Sequence, residues 1–110
     1  MPINSRQKGA TGERELARYL REHGYNARRG QQYSGANGDA DVIGLPGFHI
    51  EVKRTERFEV YKALTQAQND AKMGEIPLVC HRKNRGQWIA VLSLKDLLEL
   101  IDERYKESLH

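Results

Sequence analysis

In the run Phe48-His49-Ile50-Glu51-Val52-Lys53, the apolar Phe48, Ile50 and Val52 alternate with His49, Glu51 and Lys53. A period of two is that of a strand with one apolar face, so Glu51 and Lys53 point the same way, roughly 7 Å apart at Cα. Asp41 lies in a second strand-like run, Ala40 to Ile43, separated from the first by the turn signal Gly44-Leu45-Pro46-Gly47, so the two read as an antiparallel hairpin. A three-residue loop at Leu45-Pro46-Gly47 places Asp41 across from Glu51. A two-residue turn pairs it with Val52 and a four-residue loop with Ile50, both on the wrong face. Two carboxylates meeting on one sheet face repel each other, and a divalent cation between them relieves the repulsion. Hard oxygen ligands of this kind suit Mg²⁺ or Mn²⁺ rather than zinc. Such an ion polarises a phosphodiester oxygen and lowers the pKa of a bound water, while Lys53 beside it orients that water or offsets charge on phosphorus. On this local pattern alone, a solvated charge pair on an ordinary strand is the simpler reading.

Glu13 shifts the balance. It shares the helical stripe Glu13, Leu16, Ala17, Leu20, so the face that seeks the core carries a carboxylate into partly buried surroundings, where it needs a cationic partner. The competing reading is a first-turn acid favoured by the helix dipole. The stripe requires a helix that becomes regular near Gly9 to Gly12 and stops at Gly24, after a loose segment 1–8. A short strand around Asn26 to Arg29 and a glycine-rich loop, Gly30 to Gly38, then lead into the hairpin. A helix from roughly Glu59 to Met73 ends at Gly74 and Pro77, and strands at Leu78 to His81 and Trp88 to Leu92 flank the basic turn Arg82 to Gly86. Leu94, Leu97, Leu98, Ile101 and Tyr105 mark a C-terminal amphipathic helix over 94–107, with Ser93 as its N-cap. The order predicts an α/β fold with a central mixed β-sheet of about five strands flanked by helices.

A chain of 110 residues accommodates a single domain, 1–110. Its net charge of +3 is too small to prove a polyanion partner, but the basic residues are clustered along the chain. The one cysteine, Cys80, excludes an internal disulfide and a multi-cysteine metal site, and reads as a buried reduced thiol. The four histidines show no paired spacing suited to zinc, so each reads as structural or exposed. No apolar run approaches the roughly 18 residues of a membrane-spanning helix and the N-terminus is not signal-like, which makes a cytoplasmic setting the expectation.

The stretch from Lys8 through Gly12-Glu13-Arg14-Glu15-Leu16, followed by Gly24-Tyr25, Arg28 and Arg29, then Asp41-Val42-Ile43 and Ile50-Glu51-Val52-Lys53, resembles the archaeal-type Holliday-junction resolvases. These belong to the PD-(D/E)XK nuclease superfamily, to which related small phage nucleases also belong. The resemblance runs from about Lys8 to Leu92. It implies a restriction-endonuclease-like core and a Mg²⁺-dependent DNA endonuclease of prokaryotic or phage origin, with Mn²⁺ as a substitute ion. It further implies that Glu13, Asp41 and Glu51 organise the metal, that Lys53 assists the attacking water, and that a homodimer cuts branched DNA during recombination or repair. Gln66 resembles the glutamine often found after the E-x-K strand. Ala40 stands where the superfamily name has proline, which leaves Asp39 as a competitor of Asp41. Tyr61 to Asp70 and Cys80 to Arg85 look more like the phage nucleases.

Arg28, Arg29 and the loop containing Ser34 precede the hairpin, where they are placed to hold phosphates, and Lys8 and Arg14 join them as expected DNA contacts. The turn carrying Arg82, Lys83 and Arg85 offers a second clamp, or a soluble hairpin tip. No recognition helix is evident, so backbone shape is the expected determinant. The rival readings are a flap, nicking or restriction-type nuclease, and a non-catalytic DNA-binding module. The latter has no use for clustered carboxylates beside phosphates.

Overall fold

The computed structural model describes residues 5–30 and 39–108, with side chains from residue 9 onward. The expected DNA contacts Lys8 and Ser34 therefore lie outside the described side chains. The elements run α1 (Ser5–Glu22), β1 (Arg28–Arg29), β2 (Val42–Ile43), β3 (Phe48–Lys53), α2 (Val60–Asp70), β4 (Ile76–His81), β5 (Ile89–Val91) and α3 (Leu94–Ser108).

The strands form one five-stranded sheet in the order β1-β2-β3-β4-β5. Only β3 and β4 pair in parallel, because α2 carries the chain back between them as a crossover. The expected α/β class and strand number hold. Helix α1 buries Leu16 and Ala17 against Val42, Ile50, Leu78 and Cys80 on one sheet face. Helix α2 buries Ala63 and Ala67 against Val79 on the other. The alternation in β3 is thus satisfied on both sides: Ile50 faces the α1 core, and Glu51 lies under α2 at the level of Val79.

Two elements depart from expectation. The helical backbone begins at Ser5 rather than near Gly9 to Gly12. Glycine weakens a helix by only about 1 kcal/mol, which packing overrides, and Gly12 faces the sheet so closely that an added Cβ would lie 2.7 Å from the Cβ of Arg54. Pro77 does not stop the chain short of a strand but sits inside β4. Ile76 donates its N–H to Gly47, so the Pro77 nitrogen points to the opposite edge, where β5 pairs only with Val79 to His81. No ladder hydrogen bond is lost there.

At the C-terminus, Ser93 caps α3 by accepting the Asp96 N–H at 3.1 Å. None of the helix's described side chains is buried, and Leu94, Leu98, Ile101 and Tyr105 are 68%, 49%, 50% and 64% exposed.

Candidate active site

The hairpin between β2 and β3 adopts the register of the three-residue loop, pairing Val42 with Ile50. Gly44, at φ +112°, makes the turn possible, since a Cβ there would meet the Asn26 carbonyl oxygen at 2.2 Å. One step beyond that pair, the Asp41 N–H donates to the Ile50 carbonyl at 2.8 Å and its Oδ2 accepts the Val52 N–H at 2.8 Å. Asp41 is thereby fixed at the level of Glu51, and the two carboxyl groups hydrogen-bond each other.

Glu51 is buried. Burial, then the Asp41 charge and hydrogen bond, then the Asp70 charge push its carboxyl from 4.5 up to about 8, with Lys53 opposing. Among the described residues that shift Glu51, the acids Asp41 and Asp70 outnumber the one opposing cation, Lys53. Lys53 Nζ lies 3.4 Å from Gln66 Oε1 on α2, a long contact that ties the two candidates together without locking either.

Glu13 occupies the buried stripe of α1 with Leu16 and Ala17. Its partner is Arg29, at 3.1 Å. Burial and the nearby Asp41 charge raise the Glu13 carboxyl above its ordinary value, while Arg29 and Arg14 pull it down. Glu13 therefore reaches Asp41's neighbourhood from beneath the sheet edge, and Arg29, expected to hold phosphate, is also a counter-ion to it. Asp39 lines a small cleft with His49, Lys72 and Glu75.

Two residues not singled out as site residues from the sequence converge on the same edge. His49 is almost fully buried, with Nε2 2.9 Å from Glu51 Oε1 and Nδ1 3.8 Å from Glu75 Oε1. Ligand atoms of His49, Glu51 and Asp70 lie within 4.8 Å of one another. Strand alternation already sets His49 on the face of Glu51 and Lys53, and Asp70 follows Gln66 by four residues, one helical turn.

The expected DNA-contacting arginines divide into two kinds. Arg82 is turned inward to Glu15 and donates to the Gly86 carbonyl at 2.6 Å, whereas Arg14, Arg28, Lys83 and Arg85 are exposed. A further basic cleft, lined by Lys53, Arg57, Lys62 and Gln66 among others, opens over the start of α2. Cys80 is buried and its thiol is pushed up to about 12 by burial, which makes it inert, as expected for a structural thiol. No helix among the described residues is long and apolar enough to cross a membrane.

Residues 4–109 match the family described as "Phage putative PDDEXK endonuclease". No curated protein matches the chain.

Proposed function

The chain belongs to this phage PDDEXK endonuclease family, and on that premise we propose that it hydrolyses DNA phosphodiester bonds at the edge built from Asp41, Glu51 and Lys53. The observation that carries the reading is the meeting of the Asp41 and Glu51 carboxyl groups beside Lys53. A buried acid, Glu51, and a half-buried one, Asp41, both hard oxygen donors, fit Mg²⁺ or Mn²⁺. Asp41 and Glu51 would hold the ion, with Glu13 supporting Asp41 from α1. When bound, such an ion polarises the phosphodiester and acidifies water.

The remaining roles belong to the protein. Lys53 donates a hydrogen bond to the attacking water or to a non-bridging phosphate oxygen, stabilising charge that grows in the transition state. Gln66 limits the directions that the Lys53 ammonium samples. Arg29 holds the Glu13 carboxylate in place. Arg14, Arg28, Lys83, Arg85 and the Arg57 and Lys62 cleft supply phosphate contacts without base readout.

Branched DNA cut by a homodimer is the finer reading, in line with the resolvase resemblance. Its support is α3, whose exposed Leu94, Leu98, Ile101 and Tyr105 form one stripe by helical spacing. Lys95 and Asp102 share one flank of that stripe. An antiparallel second copy sets each Lys95 opposite its partner's Asp102, and such a contact is self-complementary, as two-fold symmetry requires. Light scattering should give a dimer that a Leu98→Glu, Ile101→Glu variant converts to monomer; a monomeric wild type at tens of micromolar removes the dimer.

Cleavage is tested with labelled four-way junction, flap, single-stranded and linear duplex DNA, in Mg²⁺, Mn²⁺ or EDTA. Metal-dependent incision is expected, with junctions preferred. Equal cutting of linear duplex removes the branched-DNA reading, and undiminished cutting by Asp41→Asn or Lys53→Ala removes the site.

A further inference from the structure

We propose that His49, Glu51 and Asp70 form a second divalent-cation site beside the Asp41 and Glu51 pair, taking an ion such as Mn²⁺ that accepts nitrogen as well as oxygen. The proposal deepens the metal reading of this edge and rests on it through Glu51, which the two sites share.

Two features of the fold bring these ligands together. Alternation along β3 directs His49 and Glu51 to the α2 side of the sheet. Helix α2 runs back over β3 as the crossover to β4 and ends at Asp70, so its last residue arrives over the beginning of the strand. One donor atom from each of the three then lies within 4.8 Å of the others, a few tenths of an ångström beyond the roughly 4.4 Å that opposite ligands of one ion with bonds of about 2.2 Å span, so small side-chain rotations close the site on an ion.

A further carboxylate stands on the far side of the imidazole. A metal-bound histidine turns its other ring nitrogen to a carboxylate or carbonyl, which fixes the tautomer and aims the free lone pair at the ion. Glu75 Oε1 stands 3.8 Å from His49 Nδ1 and is itself held by the Lys72 N–H at 2.8 Å. The 3.8 Å contact is an ion-pair distance rather than a hydrogen bond, and Nε2, 2.9 Å from Glu51 Oε1, is the ring nitrogen turned to the carboxylates of the site. A histidine that served only as a counter-ion to Glu51 would not need Asp70 within reach of the same point. One nitrogen and two carboxylate oxygens move the preference from Mg²⁺, which takes oxygen alone, toward Mn²⁺ and the later first-row ions.

The test is Mn²⁺ binding to the full chain without DNA, followed by the electron paramagnetic resonance of the free ion. Electron spin-echo modulation of the bound ion reports a coordinated imidazole nitrogen. Wild type should bind two ions and show the nitrogen signal. His49→Gln and Asp70→Asn should each weaken one ion's binding at least tenfold, and His49→Gln should abolish the signal. Glu75→Gln should weaken the same ion by roughly 10–100-fold while keeping the nitrogen signal, as for a residue that positions a ligand. Asp70 is only partly buried, so Asp70→Asn carries the test if His49→Gln fails to fold. Asp41→Asn should leave the nitrogen-coordinated ion in place. A wild type without nitrogen modulation, or unchanged Mn²⁺ affinity and stoichiometry in both His49→Gln and Asp70→Asn, overturns the second site and leaves the nuclease reading intact. Nitrogen-coordinated Mn²⁺ in a chain that cuts no DNA does the reverse.

Discussion

Glu15 and Glu51 are two inward-turned carboxylates with opposite surroundings. Glu15, on α1, meets two guanidinium groups: Arg54 at 3.3 Å and Arg82. Arg54 also donates to the Arg82 carbonyl and to Asn84 Oδ1, so one helix is fastened to the ends of two strands. Glu51 meets Asp41 and the charge of Asp70, and among the described residues Lys53 and the His49 ring stand against them. A carboxylate whose charge is matched by fixed cations serves stability. One left among other acids is destabilising until something positive arrives, and that imbalance is what the proposed catalytic edge would use.

The largest consequence of the difference is kinetic. Glu51→Gln or Asp41→Asn should lower cleavage by about 10³-fold or more, comparable to removing a principal electrostatic element of a transition state. Glu15→Gln should leave the rate within a fewfold of wild type. Nicking of supercoiled plasmid in Mn²⁺ measures all three, and a Glu15 variant as inactive as the Glu51 variant would abolish the distinction.

The next effect is on stability against pH. The Glu51 carboxyl is raised from 4.5 to about 8, so the folded chain holds a proton that the unfolded chain has released. Stability is therefore full below about pH 4.5 and falls as pH rises toward 8; Glu13, also raised, adds in the same direction. In EDTA, the melting temperature should drop by several degrees between pH 5 and pH 8. Glu51→Gln should flatten much of that slope, and saturating Mn²⁺ should reverse it by displacing the proton. A wild type that gains stability over this interval contradicts the assignment of Glu51 as an under-neutralised acid.

Glu15 has the smaller but complementary effect. Replacing it with alanine leaves Arg54 and Arg82 partly buried without their shared anion, at a cost of about 1–2 kcal/mol. Urea unfolding should show a lower midpoint with an unchanged slope. An unaltered midpoint would mean that the network is a solvated surface pair of negligible worth.

The sequence displayed these two environments unevenly. The α1 stripe with Glu13 and the common face of Glu51 and Lys53 are periodic features, and periodicity survives folding wherever one side of an element is buried. The hairpin offered three registers, and only the folded turn, with Phe48 donating to Leu45, selects the one that brings Asp41 to Glu51. His49 shows no signal in spacing to the other histidines, because its neighbours are carboxylates at the adjacent position of the same face and on a different helix. Arg29 and Arg82 were expected to meet phosphate. Their partners Glu13 and Glu15 come from α1, a pairing that depends on the packing of that helix and leaves no local trace.

The finest test of the contrast is Gln66. The arginines around Glu15 each make several hydrogen bonds, but among the described residues Lys53 makes a single long contact, 3.4 Å to an exposed glutamine. A long, solvent-screened hydrogen bond from an ammonium contributes about 0.5–1.5 kcal/mol, so Gln66→Ala should reduce cleavage by no more than about tenfold and leave Mn²⁺ affinity unchanged. Lys53→Ala should cost about 10²–10⁴-fold. In a Lys53→Ala background the Gln66 substitution should cost nothing further, because its influence passes through the ammonium group. A Gln66 effect that persists without Lys53 would mean that the amide acts on the substrate directly, and that the functional edge extends along α2 toward the Arg57 and Lys62 cleft.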